Sequence, residues 1–299
     1  MIWYWEHREQ LSCSLNKLYL FIGTSKQAIH QMLNRKLIIG EQTNLLLKIV
    51  AEVRKDHPTL SLRAMFYKIG PVGMGRDAFE SMCAANGFKL EHKRSLHRTT
   101  DSTGVKRFDD LLSNLELTGI NQAFSSDITY YEINNHYYHI TFILDCFSRR
   151  IIGHHTSQRL TTEQTTLPAL KMALRLRKGL INPGIIFHSD GGGQYHDKEF
   201  LNLSAKYKMR NSMCEYAWEN GKAEKLNGTL KNNYLKFYDI KSYAQLVKYV
   251  DQAVKLYNTD RPHKALGYLS PVEYEKELIN FKQQTSSKMK KSLEANVQI

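Results

Sequence analysis

Residues 1–100 of this 299-residue chain read as helical, and from Ala123 onward the pattern of apolar positions turns to strands alternating with helices. In the first zone, Leu15-Asn-Lys-Leu-Tyr-Leu-Phe-Ile-Gly23 leads through Thr24 and Ser25 into Lys26-Gln-Ala-Ile-His-Gln-Met-Leu-Asn-Arg35. An apolar helix, a glycine turn and a Ser/Thr-started helix follow the helix-turn-helix plan. Leu60 to Ile69, the break Gly70-Pro-Val-Gly-Met-Gly75, and Arg76 to Asn86 repeat it. Each alone also describes an ordinary packed helical hairpin. Two in succession on a segment with 15 Lys and Arg against 8 Asp and Glu favour DNA binding.

The later zone predicts β-rich runs over Ala123 to Asn134 and His136 to Asp145, joined by the hairpin signal Ile133-Asn-Asn135. Arg149 to His155 gives a third strand after the turn at Cys146-Phe-Ser148. Thr161-Thr-Glu-Gln164 is a capping-box pattern opening a helix toward Arg177, with Pro168 moving the true start nearer Thr166. Residues 184–190 form a fourth strand of the kind buried on both faces. Helices are predicted near 196–207, 219–237 and 242–258. The last is capped by Ser242 and striped by Tyr243, Leu246, Val247, Val250, Val254 and Tyr257. Three antiparallel strands, a helix, a buried strand and further helices make the ribonuclease H-like α/β order. The expected fold is a five-stranded mixed sheet flanked by helices and preceded by a helical N-terminal region.

Composition adds a partner class. Forty-two Lys and Arg against 29 Asp and Glu give a net charge of +13, which points to a polyanion, with nucleic acid first. Apolar content of 42% supports a packed core. Cys13, Cys83, Cys146 and Cys214 include no close pair, so neither a disulfide framework nor zinc-ligand spacing is expected, and the setting fits a reducing cytoplasm. No apolar run reaches membrane-span length, so no membrane partner is expected, and the first residues lack the basic-then-apolar order of a signal peptide.

Three carboxylates carry the candidate chemistry: Asp127 in the first strand run, Asp190 at the end of the fourth, and Glu224 in a helix. Sixty-three residues separate the aspartates, which permits neighbouring central strands, and 34 separate Asp190 from Glu224, room for a crossover. At 100° per residue, Ala223, Leu226, Leu230, Tyr234 and Phe237 form one buried stripe. Glu224 lies on its flank with Asn220, Asn227 and Lys231, where a carboxylate can point toward strand ends. Crowded carboxylates repel without a cation; two Mg²⁺ about 3.5–4 Å apart would relieve them and activate a water or 3′-hydroxyl. An all-oxygen donor set suits Mg²⁺, with Mn²⁺ as a substitute, and His188 is at most an accessory. Locally, Glu219 and Glu215 rival Glu224 as third ligand. Asp145 most simply caps a turn. Gly191-Gly-Gly193 lacks the Gly-Lys-Ser/Thr of a nucleotide loop.

Taken in order, Asp127-Ile-Thr-Tyr130, Asp145-x-x-Ser-Arg149, His188-Ser-Asp-x-Gly-x-Gln-Tyr195 and Ala223-Glu224 resemble the retroviral-integrase-type catalytic core of bacterial insertion-sequence transposases. Tyr257-Asn-x-x-Arg-Pro-His263, Leu266-Gly and Ser270-Pro-Val-Glu-Tyr274 are similar to the end of that domain. The resemblance is to the OrfB type of the insertion-sequence-three family, over about residues 10–280 and strongest from 108 onward. It implies that Asp127, Asp190 and Glu224 are the catalytic, metal-binding DDE triad, favouring Glu224 over its rivals, and that Lys231 grips element-end DNA. Lys222, Lys225, Arg261, His263, Lys26, Arg35 and Arg76 are the further DNA-contact candidates. The chain departs from the family in a shortened loop around Glu215-Tyr-Ala217 and in Glu219-Asn220 where the family has Asp-Asn.

The implied organisation is a helical DNA-binding region over 1–89 with two helix-turn-helix-like units, a basic linker over 90–120, an integrase-type catalytic core over 121–280 and a mobile basic tail over 281–299. The implied activity is metal-dependent cleavage and strand transfer at insertion-sequence ends. The partners are transposon-end and target DNA, further copies of the chain, and a smaller upstream OrfA-type product joined by frameshifting, in a bacterial cytoplasm. A DNA-binding protein that has lost catalysis, or a nuclease on the same fold, is the alternative.

Overall fold

The computed structural model describes residues 7–10, 14–90, 107–214, 220–281 and 283–284. Most of the expected linker and tail therefore lies outside the described residues, as do Glu215, Glu219 and the loop expected to be short. Contacts divide the chain into two compact units, Met1–Val53 and Arg54–Ile299.

The first unit contains α1 (Leu15–Ile22) and nearly all of α2 (Lys26–Asp56). Ser14 Oγ caps α1 by accepting from Lys17 N, and Gly23 ends it at φ 69°. The second helix does not stop at Arg35. It runs on to Asp56, 31 residues in all, because Gly40 costs a helix interior only about 1 kcal/mol and good helix formers follow it.

The second unit opens with the end of α2, then α3 (Leu62–Ile69) and α4 (Arg76–Ala85). Residues 54–89 share this unit with the sheet, and buried polar ties hold them there. His57 is fully buried, with Nδ1 2.9 Å from Tyr234 Oη and Nε2 2.6 Å from Asp260 Oδ2. Lys68 Nζ pairs with the same Asp260 carboxylate and donates to its backbone carbonyl at 3.1 Å. Arg54 donates to the carbonyls of Pro58, Leu60 and Phe88, closing the helical pair.

Five strands form one sheet in the order β3-β2-β1-β4-β5: β1 (Ala123–Ile133), β2 (His136–Asp145), β3 (Ile151–Ser157), β4 (Ile186–Ser189) and β5 (Arg210–Met213). β1, β2 and β3 pair antiparallel, whereas β4 and β5 join parallel, which is the ribonuclease H-like arrangement. Asn134 and Asn135, at φ 51° and 60°, make the two-residue turn between β1 and β2. A two-residue turn places the hairpin centre between them, so Asp145 pairs with Phe124.

Side-chain alternation along β1 sorts its residues between two layers. Phe124 joins Ile143, Ile152 and Phe187 under α5 (Thr166–Leu176) and α6 (Lys198–Lys206). Ile133 joins Ile140, Phe142 and Leu144 under α7 (Gly221–Asn233) and α8 (Tyr243–Thr259). α5 lies close on β3 because a Cβ at Gly153 would stand 2.2 Å from the Ala169 carbonyl oxygen. Ala223, Leu226, Leu230 and Tyr234 are buried as the stripe predicts, but Phe237 is not. The helix tightens to a 3₁₀ turn over Leu235–Phe237, and the changed pitch turns Leu235 inward and leaves Phe237 exposed.

A buried ion cluster fastens the turn between β2 and β3. Asp145 Oδ1 accepts from the amides of Phe147 and Ser148, and Oδ2 from Asn121 N, so it caps the turn as expected. Its partner Arg177, at 3.5 Å, also makes a two-point contact with Glu275, which lies in a helix over 271–281. Glu275 accepts further from Ser148 Oγ and Arg150, each at 2.6 Å. Burial pushes the Glu275 carboxyl up, but these donors outweigh it and hold it below its usual range. Glu275→Ala would leave Arg177 buried without its main counter-charge. We expect a loss of about 3–5 kcal/mol in urea unfolding, and a loss below about 1 kcal/mol would show the cluster to behave as a surface pair.

Candidate functional site

The site is assembled from two interior strands of the sheet and one turn of a helix. β1 and β4 run parallel with Ser125 paired to His188. Two residues on from this pair stand Asp127, within β1, and Asp190, just past the end of β4, so the two aspartates come from adjacent strands. The face of β1 that carries Ser125 and Asp127 is the one covered by α7. Ser125 Oγ donates to Asn220 Oδ1 at 2.6 Å, Asn220 Nδ2 donates to the Ser126 carbonyl at 2.9 Å, and Asn227 Nδ2 donates to Asp127 Oδ2 at 2.7 Å. Glu224 lies between these asparagines in the first turn of α7, with its side chain exposed.

The electrostatics tie the three carboxylates together. Burial and then the charges of Asp190 and Glu224 raise Asp127 to about 7, against hydrogen bonds from Ile128 N and Asn227. Asp190 is raised by burial despite a hydrogen bond from Gly192 N, and Glu224 is raised by burial and by Asp190. Among the described residues, no group of three His, Cys, Asp or Glu side chains is disposed to hold a metal ion. The aspartate oxygens instead accept from protein donors: Asp127 from Ile128 N and Asn227, Asp190 from Gly192 N at 3.1 Å. On the far side of the same amide, Asn227 Oδ1 is buried with no hydrogen-bond partner. Mutually repelling carboxylates beside an unsatisfied oxygen form a surplus of acceptors, and an all-oxygen set of this kind fits a hard divalent cation.

Around this centre, Ser126 faces the opposite layer and bonds Tyr195 Oη at 2.9 Å, fixing the chain just after Asp190. His188 is buried, with Nδ1 3.0 Å from Ser212 Oγ, and so is turned toward β5. Lys231 stands with Nζ 4.6 Å from the centre of the Tyr130 ring, and burial lowers its pKa. Lys222 and Lys225 line a cleft together with Arg261 and His263. Arg261 rests on the Tyr234 ring at 5.8 Å. His263 is turned to the Tyr257 carbonyl at 3.4 Å, and burial, with Arg261 and Arg149 nearby, lowers it to about 4. Lys26 and Arg35 are exposed on α2 of the first unit. Arg76 is engaged by Asp77 at 2.8 Å and Glu80 at 3.8 Å.

The hydrogen-bonding roles of Asn220 and Asn227, and the Arg177–Glu275 pair, were not assigned from the sequence. The asparagines had a local signal in their shared flank with Glu224. Glu275 had none, since nothing near it marks a charge destined for burial.

Comparison with known proteins places this site in a family context. Residues 118–217 match the family described as Integrase core domain, and residues 206–271 match a second family of the same description. The chain is 25% identical over 262 residues to the insertion element IS600 uncharacterized 31 kDa protein of Shigella sonnei, covering 84% of this chain and 95% of that one. It is 30% identical over 161 residues to the transposase InsF for insertion sequence IS3A of Escherichia coli K12, covering 53% of this chain and 55% of that protein. The HTLV-2 integrase catalytic core domain, solved in complex with magnesium, is similar at 20% identity and a TM-score of 0.42, over 52% of this chain and 95% of that one.

The raised acid has a consequence for stability. A carboxyl raised from 3.8 to about 7 by folding binds its proton more tightly in the native state. Its contribution is fully present below the unfolded value and is lost as pH rises through about 7. In EDTA, the wild-type melting temperature should therefore fall more steeply than that of Asp127→Asn from acid to neutral pH. Parallel profiles for the two proteins would refute the electrostatic account of the site.

Proposed function

We propose, for a chain that belongs to the insertion-sequence transposases with an integrase-type core, that Asp127, Asp190 and Glu224 are the DDE triad of a DNA-cleaving and strand-joining centre. The supporting observation is that β1, the end of β4 and α7 bring in three carboxylates, of which Asp190 and Glu224 raise Asp127, and Asp190 raises Glu224. Asp127 and Asp190 would hold divalent cations from the strand side and Glu224 from the helix side. We assign two ions, Mg²⁺ with Mn²⁺ as substitute, because the donors are all oxygen. When bound, such ions supply activation of the attacking oxygen and neutralisation of charge at the leaving oxygen.

The residues of the chain then divide the remaining work. Asn227 holds the Asp127 carboxylate in place through Oδ2, and Asn220 fixes the start of α7 against β1. Lys231 presents its ammonium from the same helix, suited to a DNA phosphate. In the first reaction, water attacks a phosphodiester at an element end and releases a 3′-hydroxyl. In the second, that hydroxyl attacks a phosphodiester of target DNA, forming one phosphodiester as another breaks, so no nucleotide cofactor is consumed. Assembly as a multimer on paired ends, with the smaller upstream product fused where frameshifting occurs, completes this reading. Among the described residues no helix is long and apolar enough to cross a membrane.

Asp190→Asn should abolish Mg²⁺-dependent joining of a pre-cut element end to target DNA while leaving DNA affinity within about threefold, a change of under 1 kcal/mol. Retained joining would overturn the triad assignment. Wild-type protein giving hydrolysis products alone on true element ends would point to a nuclease, and binding without cleavage in either Mg²⁺ or Mn²⁺ to a chain that has lost catalysis.

A further inference from the structure

A cleft of about 670 Å³ opens in the second unit between the start of α3, the first turns of α7 and the loop after α8. Six cationic side chains line it, Arg63, Arg149, Lys222, Lys225, Arg261 and Lys264, and no Asp or Glu does. Among the described residues, Arg63 alone of the six has an acidic partner, Glu80 at 3.1 Å. Arg261 has the Tyr234 ring instead, and Arg149 sits in the turn after β2 at φ 58°. Like charges gathered in a concave, partly desolvated space repel one another and focus a positive potential there.

Three further features narrow the occupant. The cations come from separate elements and spread along the walls, which suits an extended polyanion better than a single small anion. Thr229 adds an uncharged hydroxyl, of the kind that contacts DNA backbones. The first turn of α7 that supplies Lys222 and Lys225 also carries Glu224, which does not line the cleft. His263 within the lining is held neutral near neutral pH, which leaves the charge of the cleft to Lys and Arg and so independent of pH there.

We propose that this cleft grips the sugar-phosphate backbone of duplex DNA, with Arg63 and Lys264 forming walls that α7 does not contribute. The proposal rests on the reading that the chain acts on DNA, and not on which carboxylates react. Each neutralised phosphate contributes about 0.9 to the slope of log K against log salt.

The test is equilibrium binding of a fluorescent random-sequence duplex in EDTA over a range of NaCl. The proteins compared are the full-length wild type, Arg63→Gln/Lys264→Gln, and a control pair outside the cleft, Lys198→Gln/Lys206→Gln on exposed positions of α6. The cleft pair should make the slope shallower by about 2 and the control should leave it unchanged. Equal slopes for cleft and control variants would overturn the proposal. Lys264 is exposed and Glu80 keeps Arg76 at 3.8 Å, so the substitutions spare the core. If the first pair fails to fold, Lys222→Gln/Lys225→Gln carries the same expectation and the same overturning result. EDTA removes the chemistry, so joining by Asp190→Asn would sink the triad alone, whereas an unchanged salt slope would sink the cleft alone.

Discussion

The attachment of α7 to β1 through Asn220 and Asn227 is the constraint on which the site depends. Both asparagines are buried, and together they use Ser125, Ser126 and Asp127, three consecutive residues of one strand. A helix packed by apolar contact alone can slide or rotate at small cost, because dispersion contacts are weak individually and lack direction. Buried amide hydrogen bonds are directional and costly to leave unmade. They therefore fix the rotation of α7, and with it the side on which Glu224 emerges. The same amide that steadies Asp127 also leaves an oxygen unsatisfied, so the fold holds the site at the edge of electrostatic tolerance.

A second polar cluster does comparable work away from the carboxylates. Asp145, Arg177 and Glu275 come from the end of a strand, the end of a helix and the helix over 271–281. Their pairing closes the turn at Cys146 to Arg150 against the body of the unit. That turn carries Arg149 into the basic cleft, so a paired set of charges, Arg177 and Arg150 against Asp145 and Glu275, supports an exposed set that is not balanced. The contrast separates the two uses of charge in this chain: neutralised where it holds the fold, and left in excess where a polyanion can supply the counter-charge.

Much of the fold was legible in local pattern. The Asn-Asn turn, the start of α5 at Thr166 and the Ser242 cap of α8 each depend on residues within a few positions of one another, and each was found where expected. The errors arose where local pattern gave no warning. α2 ran past Arg35 because nothing near Gly40 stops a helix. Phe237 left the stripe because the helix changed pitch after Asn233. The site was legible to a similar depth. Asp127 could be placed within one strand, Asp190 at the end of a neighbouring one and Glu224 on the flank of a helix, but the hydrogen bonds that join these elements could not.

The sequence by itself determined the element order, the basic character, the positions of the three candidate carboxylates and the motif pattern that resembles integrase-core transposases. These follow from residue type and spacing. Only the tertiary structure decided that β1 and β4 run side by side with Ser125 against His188, that Asn227 reaches Asp127 across 100 residues, and that cations from four segments share one cleft. The physical reason is the same in each case. Strand register, buried amide pairing and cleft potential are properties of pairs brought together by packing, and no single segment carries either half of such a pair with its partner attached.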